Sequence, residues 1–197
     1  GHVGRACGRP LEICLTFGNT SDSLSRHGFA RRIDSAEALD LLARARGEGL
    51  VQFGENVRET VAFVCNCCGC CCEALLAHRR FGADRPVHTA GFLPEVDAER
   101  CNGCGECEKA CPVEAMEMVP AGDPRVPARR RASVVVEACL GCGVCVAACR
   151  RDGLKLVRRE KRVIPPKDTV LRCVRMALER GKLAELVFDD RSLASHR

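Results

Sequence analysis

Apolar and polar residues along this chain change period several times, and each change marks an element. Ala38, Leu39, Leu41, Leu42 and Ala45 recur at helical spacing. Asp34 followed by Glu37 has the form of a capping box with Asp in place of Ser or Thr, and Gly47 and Gly49 end the run. A helix is expected between them. Leu50 to Phe53 reads as a short strand, and the β-branched stretch at 60–64 as a strand entering a run of cysteines. Glu73 to Arg80 reads as a short helix leaving that run. Residues 1–33 are rich in Gly, Arg and Ser and read as loops with at most one short element. Residues 82–98, with Pro86, Gly91 and Pro94, read as a linker. Two short apolar segments follow, Ala115 to Val119 and Leu154 to Val157. Pro120 to Arg131 between them reads as a solvated loop. Past Pro165 and Pro166, Asp168 is placed to cap a helix from Thr169 to Arg180. Its apolar face would be Val170, Leu171, Val174, Ala177 and Leu178, with Gly181 at the C′ position.

A chain of 197 residues that is 46% hydrophobic can bury a core as one domain or two small ones. With no Trp, no Tyr and seven Phe, that core is small and aliphatic. Cysteine changes the picture: there are 17, about 9% of the chain, the density of a disulfide scaffold. Disulfides are nevertheless disfavoured. The start shows no secretory apolar segment, the count is odd, and six cysteines crowd into 65–72, too close to pair with one another. Most of the others fall in C-x-x-C steps, which in an intracellular chain read as metal ligands. No apolar run reaches the roughly 18 residues of a membrane-spanning helix. The chain starts at Gly1 without an initiator Met and reads as a fragment or a trimmed chain. The formal charge of +5 treats every thiol as neutral. Two four-iron clusters on eight thiolates would each add about −2 and bring the whole near neutrality, so no nucleic-acid partner is implied.

Two of the cysteine steps have one pattern. Cys101-x-x-Cys104-x-x-Cys107-x-x-x-Cys111-Pro112 is followed by Cys139-x-x-Cys142-x-x-Cys145-x-x-x-Cys149-Arg150. This is the spacing of bacterial iron–sulfur ligation, in which the fourth cysteine serves the other cluster. Three thiolates at three-residue steps wrap one face of a cubane, and the fourth, after a short helix, points away from its own loop. Cluster 1 would take Cys101, Cys104, Cys107 and Cys149; cluster 2 would take Cys139, Cys142, Cys145 and Cys111. Gly103, Gly105, Gly141 and Gly143 would let the backbone approach the inorganic sulfides and donate N–H groups to them. A tetrahedral zinc site would use only two C-x-x-C pairs and leave four cysteines unexplained.

On these motifs, residues 99–158 resemble the two-cluster bacterial-type [4Fe–4S] ferredoxin domain. The resemblance implies an α+β class: a pseudo-twofold domain of two short helices and two small hairpins, following a small cysteine-rich α+β region. It also implies electron transfer with an oxidoreductase protein partner. Two departures stand out: Arg150 replaces a second Pro, and the motifs begin 38 residues apart. Arg150 is either a charge that raises its cluster's potential or simply solvated. The expected organisation is 1–90 cysteine-rich region, 91–160 two-cluster domain, and 161–197 helical extension.

The run Cys65-Asn66-Cys67-Cys68-Gly69-Cys70-Cys71-Cys72 is the second candidate site. Six thiols in eight residues cannot all serve one tetrahedral ion. Two or three would converge while the others serve another centre or exchange as thiols, and Cys7 and Cys14 would complete the set. Gly69 would give the sharp turn that lets the Cys67–Cys68 pair and the Cys70–Cys72 triplet face one centre. Residues 4–81, through GRACGRPLEICLTFG, HGFARRIDSAEALDLL and FVCNCCGCCC, resemble the region that precedes two-cluster ferredoxin domains in anaerobic iron–sulfur proteins. The resemblance implies a further C-x-C pair upstream of Gly1. Cys-Cys-Gly at 67–69 also resembles the cysteine-rich domain of heterodisulfide reductases, but the distant cysteines and closing C-x-x-C of that family are missing. A third iron–sulfur centre is the leading expectation, with zinc or a thiol–disulfide relay beside it.

His78 reads as an exposed helix residue beside Arg79 and Arg80, with metal ligation the lesser reading. His2, His27, His88 and His196 have no motif context. Cys173 reads as a small buried hydrophobe on the last helix. No phosphate loop, dinucleotide-binding glycine pattern or catalytic acid–base pair is visible. The expectation is an iron–sulfur electron carrier of an anaerobic cytoplasm. The alternative is a redox enzyme subunit or a thiol or metal redox sensor with its chemistry at 65–72.

Overall fold

The computed structural model describes residues 7–81, 90–160 and 164–184. It divides into two compact units. One contains Gly1–Leu15, Arg31–Phe53 and Val64–Val163; the other contains Thr16–Ala30, Gly54–Phe63 and Ile164–Arg197. The class is α+β, with six helices and short, mainly antiparallel strands among the described residues.

In the first unit the Asp34 side chain accepts the Glu37 N–H at 2.8 Å and opens helix α2 (Ser35–Gly47), as the capping pattern predicts. An earlier helix, α1 (Gly18–Arg26), lies in the second unit where loops were expected. It buries no residue and so left no apolar period to read. Strands β1 (Leu15–Thr16), β2 (Val51–Gly54) and β3 (Phe63–Cys67) form a sheet in the order β1-β3-β2. The expected strand at 60–64 starts later and carries the first cysteines of the run, since Thr60 takes a left-handed φ of 53°. Helix α3 (Glu73–Phe81) follows the run.

The rest of this unit is a duplicated element. Strand β4 (Phe92–Val96), helix α4 (Glu106–Ala110) and strand β5 (Met116–Pro120) are repeated 38 residues later as β6 (Arg130–Val134), α5 (Val144–Ala148) and β7 (Leu154–Arg158). Antiparallel β4–β7 pairing puts Val96 opposite Leu154, and β5–β6 puts Met116 opposite Val134, the same register shifted by 38. Glu114 and Asp152 take left-handed φ of 56° and 49° at matching positions after Cys111 and Cys149. Each ladder therefore joins the strand before one cysteine motif to the strand after the other. The expected linker is in part β4; its residues 82–89 lie outside the described residues.

Two cores lie in this unit. One is formed by Cys107, Met116, Ala132, Cys145 and Leu154 at the centre of the repeat. The other joins Val51 and Leu75 to Val113, Leu140 and Val144, so the segments around the cysteine run and the repeat share buried surface. Leu75 is fully buried.

In the second unit helix α6 (Thr169–Glu179) is capped by Asp168, which accepts the Leu171 N–H at 2.9 Å. Its apolar stripe was expected to be covered, but only Ala177 is buried; Val170 is 74% and Leu178 56% exposed. Cys173 is likewise exposed, which corrects its reading as a buried hydrophobe. The polar anchor is Glu55, 6% exposed. It accepts the Thr169 hydroxyl at 2.6 Å and the Ala62 N–H at 3.1 Å, and it pairs with Arg172 at 3.3 Å.

Candidate metal centres

The two cysteine motifs turn about glycines. Gly103 and Gly141 have φ of 75° and 69°, and a Cβ would overlap the Arg130 carbonyl oxygen at Gly103 and the Phe92 carbonyl oxygen at Gly141. Each ligand loop is thus pressed against the first residue of the strand that precedes the other motif. Two arginines clamp the same loops: Arg129 donates to the Cys101 carbonyl at 3.3 Å and Arg159 to the Cys139 carbonyl at 2.6 Å. Arg129 belongs to the stretch read as solvated, and its backbone partner could not be read from a run of three arginines. Arg150 is exposed.

Two cavities result. The first, about 360 Å³ of space including its open side, is lined by Cys101, Cys104, Cys107 and Cys149. The second, about 300 Å³, is lined by Cys111, Cys139, Cys142 and Cys145. Each holds three thiols of one motif and the fourth of the other. Cys107 of the first and Cys145 of the second meet in the central core. Backbone N–H groups reach several thiols: Ala115 donates to Cys111 at 3.2 Å, Gly141 to Cys139 at 3.4 Å and Ala132 to Cys101 at 3.5 Å. Burial pushes the Cys142 thiol up to about 11 and Cys145 to about 12. A cationic centre is what would ionise such thiols at neutral pH. Residues 95–153 match the 4Fe-4S dicluster domain family. No curated protein matches the chain. Four soft thiol donors per cavity fit the iron–sulfur groups of that family.

Outside the dicluster domain the eight remaining candidate thiols divide into two groups. Sγ atoms of Cys7, Cys68, Cys70 and Cys71 all lie within 4.8 Å of one another. Individual separations are 2.8 Å for Cys68–Cys70, 3.3 Å for Cys68–Cys71, 3.6 Å for Cys7–Cys68 and 3.7 Å for Cys7–Cys71. Burial opposes ionisation of Cys68, but hydrogen bonds from Cys70, Cys71 and Cys7 lower it to about 6. Cys67 and Cys72 are not in this group. They are partly buried against the core that contains Cys139, with Cys111 and Cys142 packed on it. Cys72 accepts a hydrogen bond from Cys67 and, despite burial, is lowered to about 6, helped by the N–H groups of Leu75 and Ala74 at the start of α3.

Gly69 takes no positive φ; its need for glycine is contact, because a Cβ there would overlap the backbone of Pro112, next to Cys111. Two polar residues escaped the sequence reading. Asn66, 5% exposed, donates to the Ile13 carbonyl at 2.6 Å and accepts from Gln52 at 3.1 Å, which fixes β3 beside the residue before Cys14. His78 is 3% exposed and hydrogen-bonds the Ala138 carbonyl at 3.0 Å. That placement corrects its reading as an exposed residue. His27 is exposed; His2, His88 and His196 lie outside the described residues. Among the described residues, no helix is long and apolar enough to cross a membrane.

Proposed function

We propose that the chain is an iron–sulfur electron-transfer protein that binds two [4Fe–4S] clusters and exchanges electrons with an oxidoreductase partner. The observation that carries this reading is the pair of cavities, each lined by four thiols drawn three and one from the two motifs. When bound, such clusters accept and release single electrons. Cys101, Cys104, Cys107 and Cys149 hold cluster 1, and Cys139, Cys142, Cys145 and Cys111 hold cluster 2. Cys107 and Cys145 meet in one core, so the clusters lie close together and exchange electrons quickly. The arginine clamps and N–H···S bonds keep ligand loops and thiolate charge in place as oxidation state changes. Residues 91–160 form the two-cluster domain, 1–90 the cysteine-rich region and 161–197 a helical extension. Thiols at this density belong in an anaerobic cytoplasm.

The Cys7, Cys68, Cys70 and Cys71 set is a third centre. A Zn–S bond of about 2.3 Å puts tetrahedral thiolates about 3.8 Å apart, close to the separations found. A cubane spreads its thiolates over four irons and needs a wider set. The third centre is therefore a single thiophilic ion, zinc or iron, rather than a third cluster. One observation favours the second reading, a thiol redox sensor: the lowered Cys68 thiol has the ionised character of a reactive cysteine.

Electron paramagnetic resonance of the anaerobically reduced chain tests the main reading. Two interacting four-iron signals are expected, and a spectrum without any four-iron signal would refute it. Rapid peroxide oxidation of Cys68 in the metal-loaded chain would instead favour the sensor.

A further inference from the structure

We propose that Cys14, Cys65, Cys67 and Cys72 hold a second metal centre in the cysteine-rich region, separate from the Cys7 set and beside cluster 2. The argument starts from the backbone. Side chains alternate along a strand, so Cys65 and Cys67 of β3 share one face and Asn66 points from the other. Asn66 spends that opposite face on the Ile13 carbonyl, and Cys14 is the next residue along, so the thiol of Cys14 is brought to β3 by a buried hydrogen bond. The chain then leaves the strand. Cys68, Cys70 and Cys71 occupy the turn around Gly69 and gather with Cys7. Cys72 stands where the turn becomes α3 and is hydrogen-bonded to Cys67. Cys65 and Cys67 both feel the charges of Cys14 and Cys72, and none of these four is hydrogen-bonded to a member of the Cys7 set. The run is thus interleaved: thiols at the ends of β3 and α3 form one set, and thiols of the turn between them form the other.

Position gives the second set its consequence. Cys67 and Cys72 pack on the core that contains Cys139, on which Cys111 and Cys142 also pack, so three of the proposed cluster 2 ligands share that core. The ligand is a thiophilic metal, as iron or as zinc; four soft donors fit both. With this set assigned, four groups of four account for all 17 cysteines except Cys173, exposed on the other unit.

The test is thiol alkylation of the native, anaerobically purified chain, followed by peptide mass spectrometry. Cys14 and Cys173 are both exposed, so an unligated Cys14 should react as Cys173 does. The proposal expects Cys173 to be modified rapidly and Cys14 to be protected at least tenfold, with protection lost after denaturation in chelator. Equal rates at Cys14 and Cys173 would overturn it. Metal analysis of two double variants separates the sites. Cys14→Ser with Cys65→Ser should remove one centre and Cys7→Ser with Cys70→Ser another; loss of the same metal from both would mean one shared site. Iron with or without sulfide, against zinc, then identifies the occupant. Because alkylation uses the unaltered chain, a variant that fails to fold leaves the first result standing.

Discussion

Replacing Gly103 by alanine perturbs the contact on which the duplicated architecture depends. Two costs add there. An alanine held at a φ of 75° costs about 1–2 kcal/mol. Its Cβ would also overlap the Arg130 carbonyl oxygen. Relief requires moving β6, whose Ala132 is buried in the core shared by Cys107 and Cys145, and overpacking of this kind costs about 1–3 kcal/mol more. Gly105 is the internal control: its φ is 78°, but the nearest atom to an added Cβ is a Glu108 carboxylate oxygen at 3.9 Å. Only the first cost applies to it. At about 2–4 °C per kcal/mol for a chain of this size, Gly105→Ala should lower the midpoint of anaerobic thermal bleaching by about 2–8 °C. Gly103→Ala should lower it by about 4–20 °C. Visible absorption of the clusters, followed with far-ultraviolet circular dichroism, gives both numbers. Equal shifts would refute the close packing of ligand loop on strand. Gly141→Ala, against the Phe92 carbonyl, should behave like Gly103→Ala.

Other outcomes follow from the same contacts. Cys111→Ser should damage the cluster held by the second motif more than that of the first, seen as selective loss of one paramagnetic signal; loss of the first motif's signal would reverse the crossed assignment. Glu55→Gln should cost about 1–3 kcal/mol at neutral pH by weakening buried charge-assisted bonds. The Glu55 carboxyl is lowered, chiefly by the Thr169 hydroxyl and, against burial, by the Ala62 N–H and Arg172. Its contribution is therefore full above the ordinary carboxylate range and fades as pH falls through the lowered value. The gap between parent and variant in thermal midpoint should narrow in acid, and a gap independent of pH would count against this role. His78→Leu removes the partner of the buried Ala138 carbonyl and should destabilise the chain by about 1–3 kcal/mol, measured by the same melts.

The two motifs at 101 and 139 were legible because their chemistry is local. Ligand spacing within a few residues determines which thiols share a loop, and an identical spacing repeated after 38 residues announces the duplication. Caps were legible for the same reason: Asp34 and Asp168 meet N–H groups three residues away. What escaped depends on partners far along the chain. Asn66 finds Ile13 across 53 residues and His78 finds Ala138 across 60, and neither pairing leaves a period in the sequence. The sorting of the run into two sets of thiols belongs to the same class. It needs β3 to extend into the run and α3 to begin at its end, boundaries that an unbroken string of cysteines conceals. Cys173 misled because an amphipathic period predicts which face of α6 is apolar but not whether anything covers it.

Acid-labile sulfide and iron per chain, measured on protein purified and handled without oxygen, test the central claim most directly. Two four-iron clusters require about eight sulfides and at least as many irons, with further iron or zinc from the cysteine-rich region. One or two zinc ions per chain and no sulfide would contradict the account.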